Sequence, residues 1–283
     1  MADAILPAGP KVPAPPGFFS AALRVAQIAP LRTLRGKRLL GLSILAVLPT
    51  LIAVLMRVDS RGRSLGVGGF ADFMSVFFLG GITPLTLLFL GAAAIGDDID
   101  NGTLLYLRLR PISRGAIALG RYLALLTSAL MLLLPAVTLD YFVQVGWRGT
   151  DAVFASLPVL GAAVMTIALA AAAYGALFLY LSLITRFAVV FGFLFVIGWE
   201  IVISLLPSKG QLFTVSFHCR AFLWQLVHEG PRLSKPLRNS IDAGLTPSPG
   251  ESAASLLIAT VVLVTLAAFA FRAREYAEHP GEA

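Results

Sequence analysis

The sequence predicts an all-α integral membrane protein with six transmembrane helices, and its composition and hydropathy pattern carry that prediction. Of the 283 residues, 58% are hydrophobic and 13% are charged, whereas soluble domains have about 45–50% apolar and about 25% charged residues. The mean hydropathy is +0.86. The apolar residues form long continuous runs and do not alternate with polar ones, as they would in barrel strands. These features exclude a soluble enzyme.

Cysteine usage and net charge exclude further classes of protein. Cys219 is the single cysteine and cannot form a disulfide within the chain, and the sequence has no CxxC or HExxH spacing. A disulfide scaffold and a zinc module are therefore excluded, and no metal site is expected. The net charge is +7, which in a membrane protein favours contact with the anionic headgroups of the lipid bilayer. Because no basic tract is interleaved with aromatic residues, no nucleic-acid partner is expected.

Six segments are long and apolar enough to cross a hydrocarbon core of about 30 Å, which takes about 20 residues of helix. The predicted spans are residues 39–56, 73–95, 116–139, 159–183, 187–206 and 252–271. An even number of spans places both termini on one side. The segments on the N-terminal side carry 13 Lys and Arg residues, against 4 in the short loops opposite. This asymmetry predicts a cell-membrane protein whose N- and C-termini, including the tail 273–283, are cytoplasmic.

The sequence also makes predictions for three segments outside the spans. Residues 1–17 contain five prolines and no apolar core of a secretory signal, so a disordered tail is expected. Residues 18–38 mix apolar and basic side chains and end in a basic cluster, which predicts an amphipathic helix lying in the membrane interface. The simpler alternative is a basic stop before the first span. Residues 211–227 have one formal charge, Arg220, and predict a re-entrant or interfacial outer helix; the alternative is a seventh span.

The segment between the second and third spans is the most informative. Carboxylates lie at the end of the second span, Asn101-Gly102 indicates a turn, and Thr103 is placed to cap a short helix that Pro111 ends. The pattern predicts a short helix across the cytoplasmic membrane face. Such an element suits docking into a groove of a soluble partner. An ordinary solvated loop is the alternative.

This hairpin resembles the signature of ABC transporter permeases with the ABC-2 membrane domain. The matching residues are Asp98 and Asp100, Gly102-Thr103-Leu104, Pro111-Ile112-Ser113-Arg114 and Gly120-Arg121. The family usually has Glu at the two Asp positions and a less charged turn where Arg108 and Arg110 stand. A second resemblance lies at Trp199-Glu200 and Leu205-Leu206-Pro207, because many such permeases have an acidic residue late in the fifth span, followed by a proline.

The resemblance implies half of a transporter, and an exporter is expected. Such permeases pair as homodimers or heterodimers, and each half binds one of two ABC ATPase copies on the cytoplasmic side through a coupling helix. The coupling residues implied are Asp98, Asp100, Gly102, Thr103, Leu104, Leu105, Arg108, Pro111, Ser113 and Arg114. The sequence contains no GxxxxGK[ST] motif, so ATP and Mg²⁺ belong to the ATPase partner. The chain itself is expected to bind no cofactor and to be non-catalytic.

Glu200 is the one acidic residue well inside a predicted span, roughly 9 Å below its outer end. An ionisable group at that depth is costly and is a candidate for function. It could contact a cationic or polar group of the cargo, or act as a gate residue at the dimer interface. The structural alternative is a hydrogen bond to a neighbouring helix or to the outer segment. By contrast, Asp140 and Tyr141 are interpreted as an ordinary interfacial end of the third span.

Other functions remain open from the residues alone. An ion-coupled secondary transporter would need internal repeats with paired broken helices and several intramembrane charges. A membrane-embedded enzyme would need polar groups clustered at one depth, and none is evident. A membrane anchor or sensor could use the same fold without transport. The apolar spans favour a hydrophobic or amphipathic cargo, but the sequence does not separate lipid, polysaccharide, peptide, drug and ion.

Overall fold

The structure is a computed structural model that describes residues 17–33, 37–59, 66–100, 114–185, 187–205, 209–227 and 247–277. Within these ranges the chain is helical apart from short connections, and it contains no strand. The predicted fold class, an all-α membrane protein, is confirmed.

The helices are numbered here in chain order. They are α1 (Phe18–Thr33), α2 (Lys37–Asp59), α3 (Gly66–Phe73, the π-helical Met74–Ile82 and Thr83–Asp100 in direct succession), α4 (Arg114–Val145), α5 (Thr150–Ala155), α6 (Leu157–Ile184), α7 (Ala188–Leu194, the π-helical Phe195–Ile201 and Val202–Leu205 in direct succession), α8 (Val215–Leu226) and α9 (Pro249–Ala277). Short 3₁₀ turns, Gly146–Arg148 and Lys209–Phe213, precede α5 and α8.

Five helices in the described part of the chain are long and apolar enough to cross a membrane. They are Leu39–Met56, Gly66–Ala94, Gly115–Arg148, Leu157–Ile184 and Pro249–Phe271. The second begins before the predicted start at residue 73, and the third continues past the predicted end at residue 139. The remaining predicted span, 187–206, coincides with α7, whose apolar part Ala188–Glu200 is shorter than the other five. The count of six spans stays a prediction.

Helix α6 lies at the centre of the bundle, in contact with α3, α4, α7, α8 and α9. In the most apolar part of α6, 61% of the residues are buried, and 67% are buried in that of α3, against 28% in α2 and 17% in α9, which lie at the periphery. Small residues explain this position, because alanines and glycines let neighbouring helices approach closely. Gly91 of α3 shows how closely: a Cβ there would lie 2.9 Å from Phe178 Cβ of α6.

Helix α1 packs along the N-terminal half of α4 through small side chains. Ala21 and Ala22 are buried against Ala116, whereas Phe19 of the same helix is 78% exposed. A Cβ at Gly120 would lie 2.7 Å from the Ala22 carbonyl oxygen and 2.7 Å from Val25 Cβ. Only glycine at position 120 therefore allows α1 to pack this closely on α4. Gly120, which is part of the motif that resembles the ABC-2 signature, thus has a packing role.

Replacing Gly120 with alanine should displace α1 from α4 and destabilise the protein by about 1–3 kcal/mol, as overpacking usually does. Gly161→Ala is the matched control, because a Cβ at Gly161 meets no atom within 4 Å and alanine is favoured over glycine in a helix by about 0.5–1 kcal/mol. Thermal unfolding of both purified variants in detergent provides the measurement. Equal Tm values would contradict the packing role.

Candidate functional site

The predicted coupling hairpin lies largely outside the described residues. Asp98 and Asp100 belong to the last turn of α3, and Arg114 is the first residue of α4. The other predicted coupling residues lie in the gap 101–113: Gly102, Thr103, Leu104, Leu105, Arg108, Pro111 and Ser113. The structure thus describes the two helices that flank the hairpin, and the coupling role stays a prediction.

Arg121, which follows Gly120 of the motif, connects α4 to α9. The side chain is only 6% exposed, and its guanidinium carbon lies 5.6 Å from the centre of the Phe271 ring of α9. Such a cation–π contact contributes about 0.5–2 kcal/mol, depending on how far the cation is desolvated. Gly120 and Arg121 therefore join α1 and α9 to the same part of α4.

Glu200 lies in the π-helical segment Phe195–Ile201 of α7 and is 3% exposed. Its carboxylate accepts two hydrogen bonds from the first turn of α8. The Val215 amide donates to Oε1 at 3.0 Å, and the Ser216 amide donates to Oε2 at 3.1 Å. These bonds correspond to the structural alternative, a link to the outer segment, whereas a direct contact with cargo stays a prediction.

The chemistry of a helix start explains why a carboxylate is placed there. The first four amides of a helix have no partner within the helix and carry its positive dipole end, so they need an external acceptor. Thr214 at the N-cap donates its hydroxyl backwards to the Gln211 carbonyl and makes no cap bond. Glu200 lies fifteen residues before Val215 and therefore caps α8 from another helix.

A second charged residue attaches α8 to α3. The Arg220 Nε–H donates to the carbonyl oxygen of Ser75 at 3.3 Å. Ser75 lies in the π-helical segment Met74–Ile82, and a π-helical turn changes the regular i to i−4 pairing of backbone groups. A Cβ at Gly80 would lie 3.2 Å from Arg220 Nη2, so this glycine leaves room for the guanidinium.

Ser75, Tyr174, Glu200, Cys219 and Arg220 form what we call the outer cluster. Tyr174 of α6 and Cys219 are fully buried, and the charges of Glu200 and Arg220 act on both side chains and on each other. Burial raises the pKa of the Cys219 thiol, so the thiol stays protonated at neutral pH. The cluster thus joins α3, α6, α7 and α8 through polar groups enclosed by apolar helices.

The interpretation of Asp140 and Tyr141 as an interfacial helix end is wrong. Helix α4 continues to Val145, and both side chains are fully buried. Asp140 accepts a hydrogen bond from Gln144 Nε2 at 2.8 Å, and the Tyr141 hydroxyl donates to the Val153 carbonyl at 2.8 Å. The spacing of Asp140 and Gln144, one helical turn apart, is the signal that could have indicated a continuing helix.

In the ranges that the structure describes, no three His, Cys, Asp or Glu side chains come together as they would around a metal ion. The polar groups of the outer cluster instead bond backbone amides and a backbone carbonyl.

Comparison with known families identifies the chain. A family model described as an ABC-2 family transporter protein matches residues 31–276. The chain belongs to the ABC-2 transporter family. The match begins within α1 and ends within α9, so it takes in only the end of α1 but covers α2 to α8 and the outer cluster. No curated protein matches the chain.

Family membership confirms the resemblance drawn from the hairpin residues. An ABC-2 chain is the non-catalytic membrane component of an ABC transporter, a permease, and it partners with an ABC ATPase. The family and the apolar helices together make the chain an integral membrane protein.

Replacing Glu200 with glutamine should loosen α8. The amide has one acceptor oxygen in place of two and carries no charge, so at least one charge-assisted bond, worth about 1.5–3 kcal/mol, is lost. Asp151→Asn is the matched control, because Asp151 is an exposed carboxylate in the first turn of α5, where its helix-dipole effect is at most about 1 kcal/mol.

Hydrogen exchange of peptides that cover α8, measured by mass spectrometry in detergent, gives the readout. We expect faster exchange over α8 in Glu200→Gln and no change there in Asp151→Asn. If both variants exchange like the parent protein, Glu200 does not hold the outer helix.

Proposed function

We propose that the chain forms half of an ABC exporter, paired with a second permease as a homodimer or heterodimer. One copy of the ABC ATPase binds the cytoplasmic side of each half, and ATP and Mg²⁺ are bound by that partner. The observation that carries this proposal is the family match over residues 31–276, together with a sequence that has no P-loop of its own.

The hairpin between α3 and α4 is the proposed coupling element. Its leucines, Leu104 and Leu105, would enter a groove of the ATPase, and Arg108 and Arg114 would meet its acidic groups. Both flanking helices pack on the central α6, so a displacement of the hairpin would be transmitted into the bundle. The predicted orientation, with cytoplasmic N- and C-termini in the cell membrane, places this hairpin on the ATPase side.

Helix α3 is continuous from the outer cluster to the proposed coupling element. Asp100 and Ser75 are the ends of this connection, and 25 residues of helix correspond to about 38 Å. The π-helical segment Met74–Ile82 lies in its outer part. We therefore assign α3 the role of carrying nucleotide-driven movement from the cytoplasmic side to the outer side of the permease.

The apolar character of the spans supports a hydrophobic or amphipathic cargo. The described helices expose many large apolar side chains, among them Phe191 and Leu194 on α7 and Ile258 on α9. In the paired transporter these side chains would face lipid or the pathway between the two halves. Charged side chains are few in the described spans, which suits such a cargo better than a sugar polymer.

Substitutions in the hairpin test the coupling. Gly102→Pro removes a backbone amide and restricts the turn, and Arg114→Glu reverses a charge at the start of α4. Both should uncouple ATP hydrolysis from transport while membrane insertion stays intact. Arg24→Glu is the matched control, because Arg24 is an exposed residue of α1.

The measurement is cargo-stimulated ATPase activity of the purified complex in liposomes, beside the amount of chain in the membrane fraction. Normal stimulation in Gly102→Pro and Arg114→Glu would refute the assignment of the hairpin as the coupling element.

A further inference from the structure

We propose that the contact between Arg220 and the Ser75 carbonyl is a latch that closes the outer side of the permease. It joins α8 to the outer half of α3, and it opens when the pathway opens outward, while α8 stays attached to α6, α7 and α9. Arg220 and Gly80 are then positioning residues for transport. This inference rests on the proposed function of the chain as a transporter half.

The attachments of α8 through Glu200 and through Arg220 differ in strength. Glu200 accepts two bonds, at 3.0 and 3.1 Å, from a helix start whose dipole favours the carboxylate. Within the described part of the chain, Arg220 makes one hydrogen bond, at 3.3 Å, to a neutral carbonyl. The attachment to α3 is therefore the weaker one, and it is the one that a moving α3 would break first.

The electrostatics of the outer cluster allow this release. The charge of Arg220 interacts with that of Glu200, and Glu200 stays bound to α8 through the amides of Val215 and Ser216. When Ser75 moves away, the two opposite charges remain together on the same side. Breaking the latch thus removes one hydrogen bond from Arg220, while the attraction between its charge and that of Glu200 remains.

The other contacts of α8 hold it in place. The buried side chains Phe217, Phe222 and Leu223 lie on a helix that packs against α6 and α9. At its end, Gln225 donates a hydrogen bond to the carbonyl of Pro247, just before α9 begins. These attachments make α8 part of one body with α6 and α9. The Thr83–Asp100 part of α3 also packs closely on α6, whereas the π-helical Met74–Ile82 has little contact with it, so the moving part in the latch is the outer part of α3.

The α3 side of the latch has features of a hinge. The π-helical Met74–Ile82 interrupts regular helical hydrogen bonding, and such segments are frequent at functional sites. A Cβ at Gly80 would lie 3.2 Å from Arg220 Nη2 and 3.7 Å from the Ser75 carbonyl oxygen. A larger residue at position 80 would therefore push the guanidinium off Ser75, whereas a Cβ at the adjacent Gly81 meets no atom within 4 Å.

The single cysteine provides a native reporter of the latch. Cys219 is adjacent to Arg220, is 0% exposed and is the one thiol of the chain. A buried, protonated thiol reacts slowly with a maleimide. Opening the latch separates the π-helical part of α3 from α8, which it contacts in the closed state, and gives the reagent access to Cys219. The rate of labelling therefore measures how often the latch is open.

The experiment measures N-ethylmaleimide labelling of Cys219 in native membranes that contain the full transporter, with Cys219→Ser as the background. Gly80→Leu and Arg220→Gln should label about tenfold faster than the parent chain, the factor that corresponds to about 1.4 kcal/mol. Gly81→Leu, the matched control, should label at the parent rate. Arg220→Lys keeps the charge and a donor, so it should label more slowly than Arg220→Gln.

The outcomes separate the latch from the proposed function. Equal labelling of Gly80→Leu, Gly81→Leu and the parent chain, with all three monodisperse after extraction, would overturn the latch even if Arg220→Gln fails to fold. Faster labelling of the parent chain on addition of ATP would support both the latch and the ATPase coupling. If ATP has no effect while Gly80→Leu still labels faster than Gly81→Leu, the latch stands and the proposed coupling to an ATPase fails.

Discussion

The structure depends on one constraint: in the hydrocarbon of a bilayer, every backbone amide and carbonyl must find its partner within the protein. Regular helices meet this requirement by themselves, and they make up nearly all of the described chain. Where the chain departs from regular helix, side chains provide the partners. Glu200 accepts hydrogen bonds from the amides of Val215 and Ser216 at the start of α8, and Arg220 donates to a carbonyl in the π-helical part of α3.

The same constraint connects the two sides of the permease. The predicted coupling hairpin follows α3 in the chain, and Ser75 of the outer cluster lies in the first half of this helix. Gly120 and Arg121 join α1 and α9 to α4. Glu200 of α7 and Arg220, which bonds the Ser75 carbonyl of α3, hold α8 between these two helices.

The fold class and a helix within residues 211–227 could be predicted from the sequence, because both follow from hydropathy. The hydrogen bonds from Glu200 to the segment after it correspond to one of the alternatives that the sequence left open. The partner of Arg220 could not be predicted, since Ser75 lies 145 residues away and contributes a backbone atom that any residue would carry. The prediction that Asp140 lies at the end of a helix was wrong for a different reason. The apolar run ends near residue 139, but the hydrogen bonding of α4 continues to Val145 and buries the carboxylate.

The central claim, that this chain is the membrane half of an ABC transporter, is tested most directly by its partners. The chain should be purified by affinity in mild detergent from its native host, and the copurifying proteins identified by mass spectrometry. We predict an ABC ATPase in stoichiometric amount. An intact and monodisperse chain that copurifies without any ABC ATPase would contradict the account.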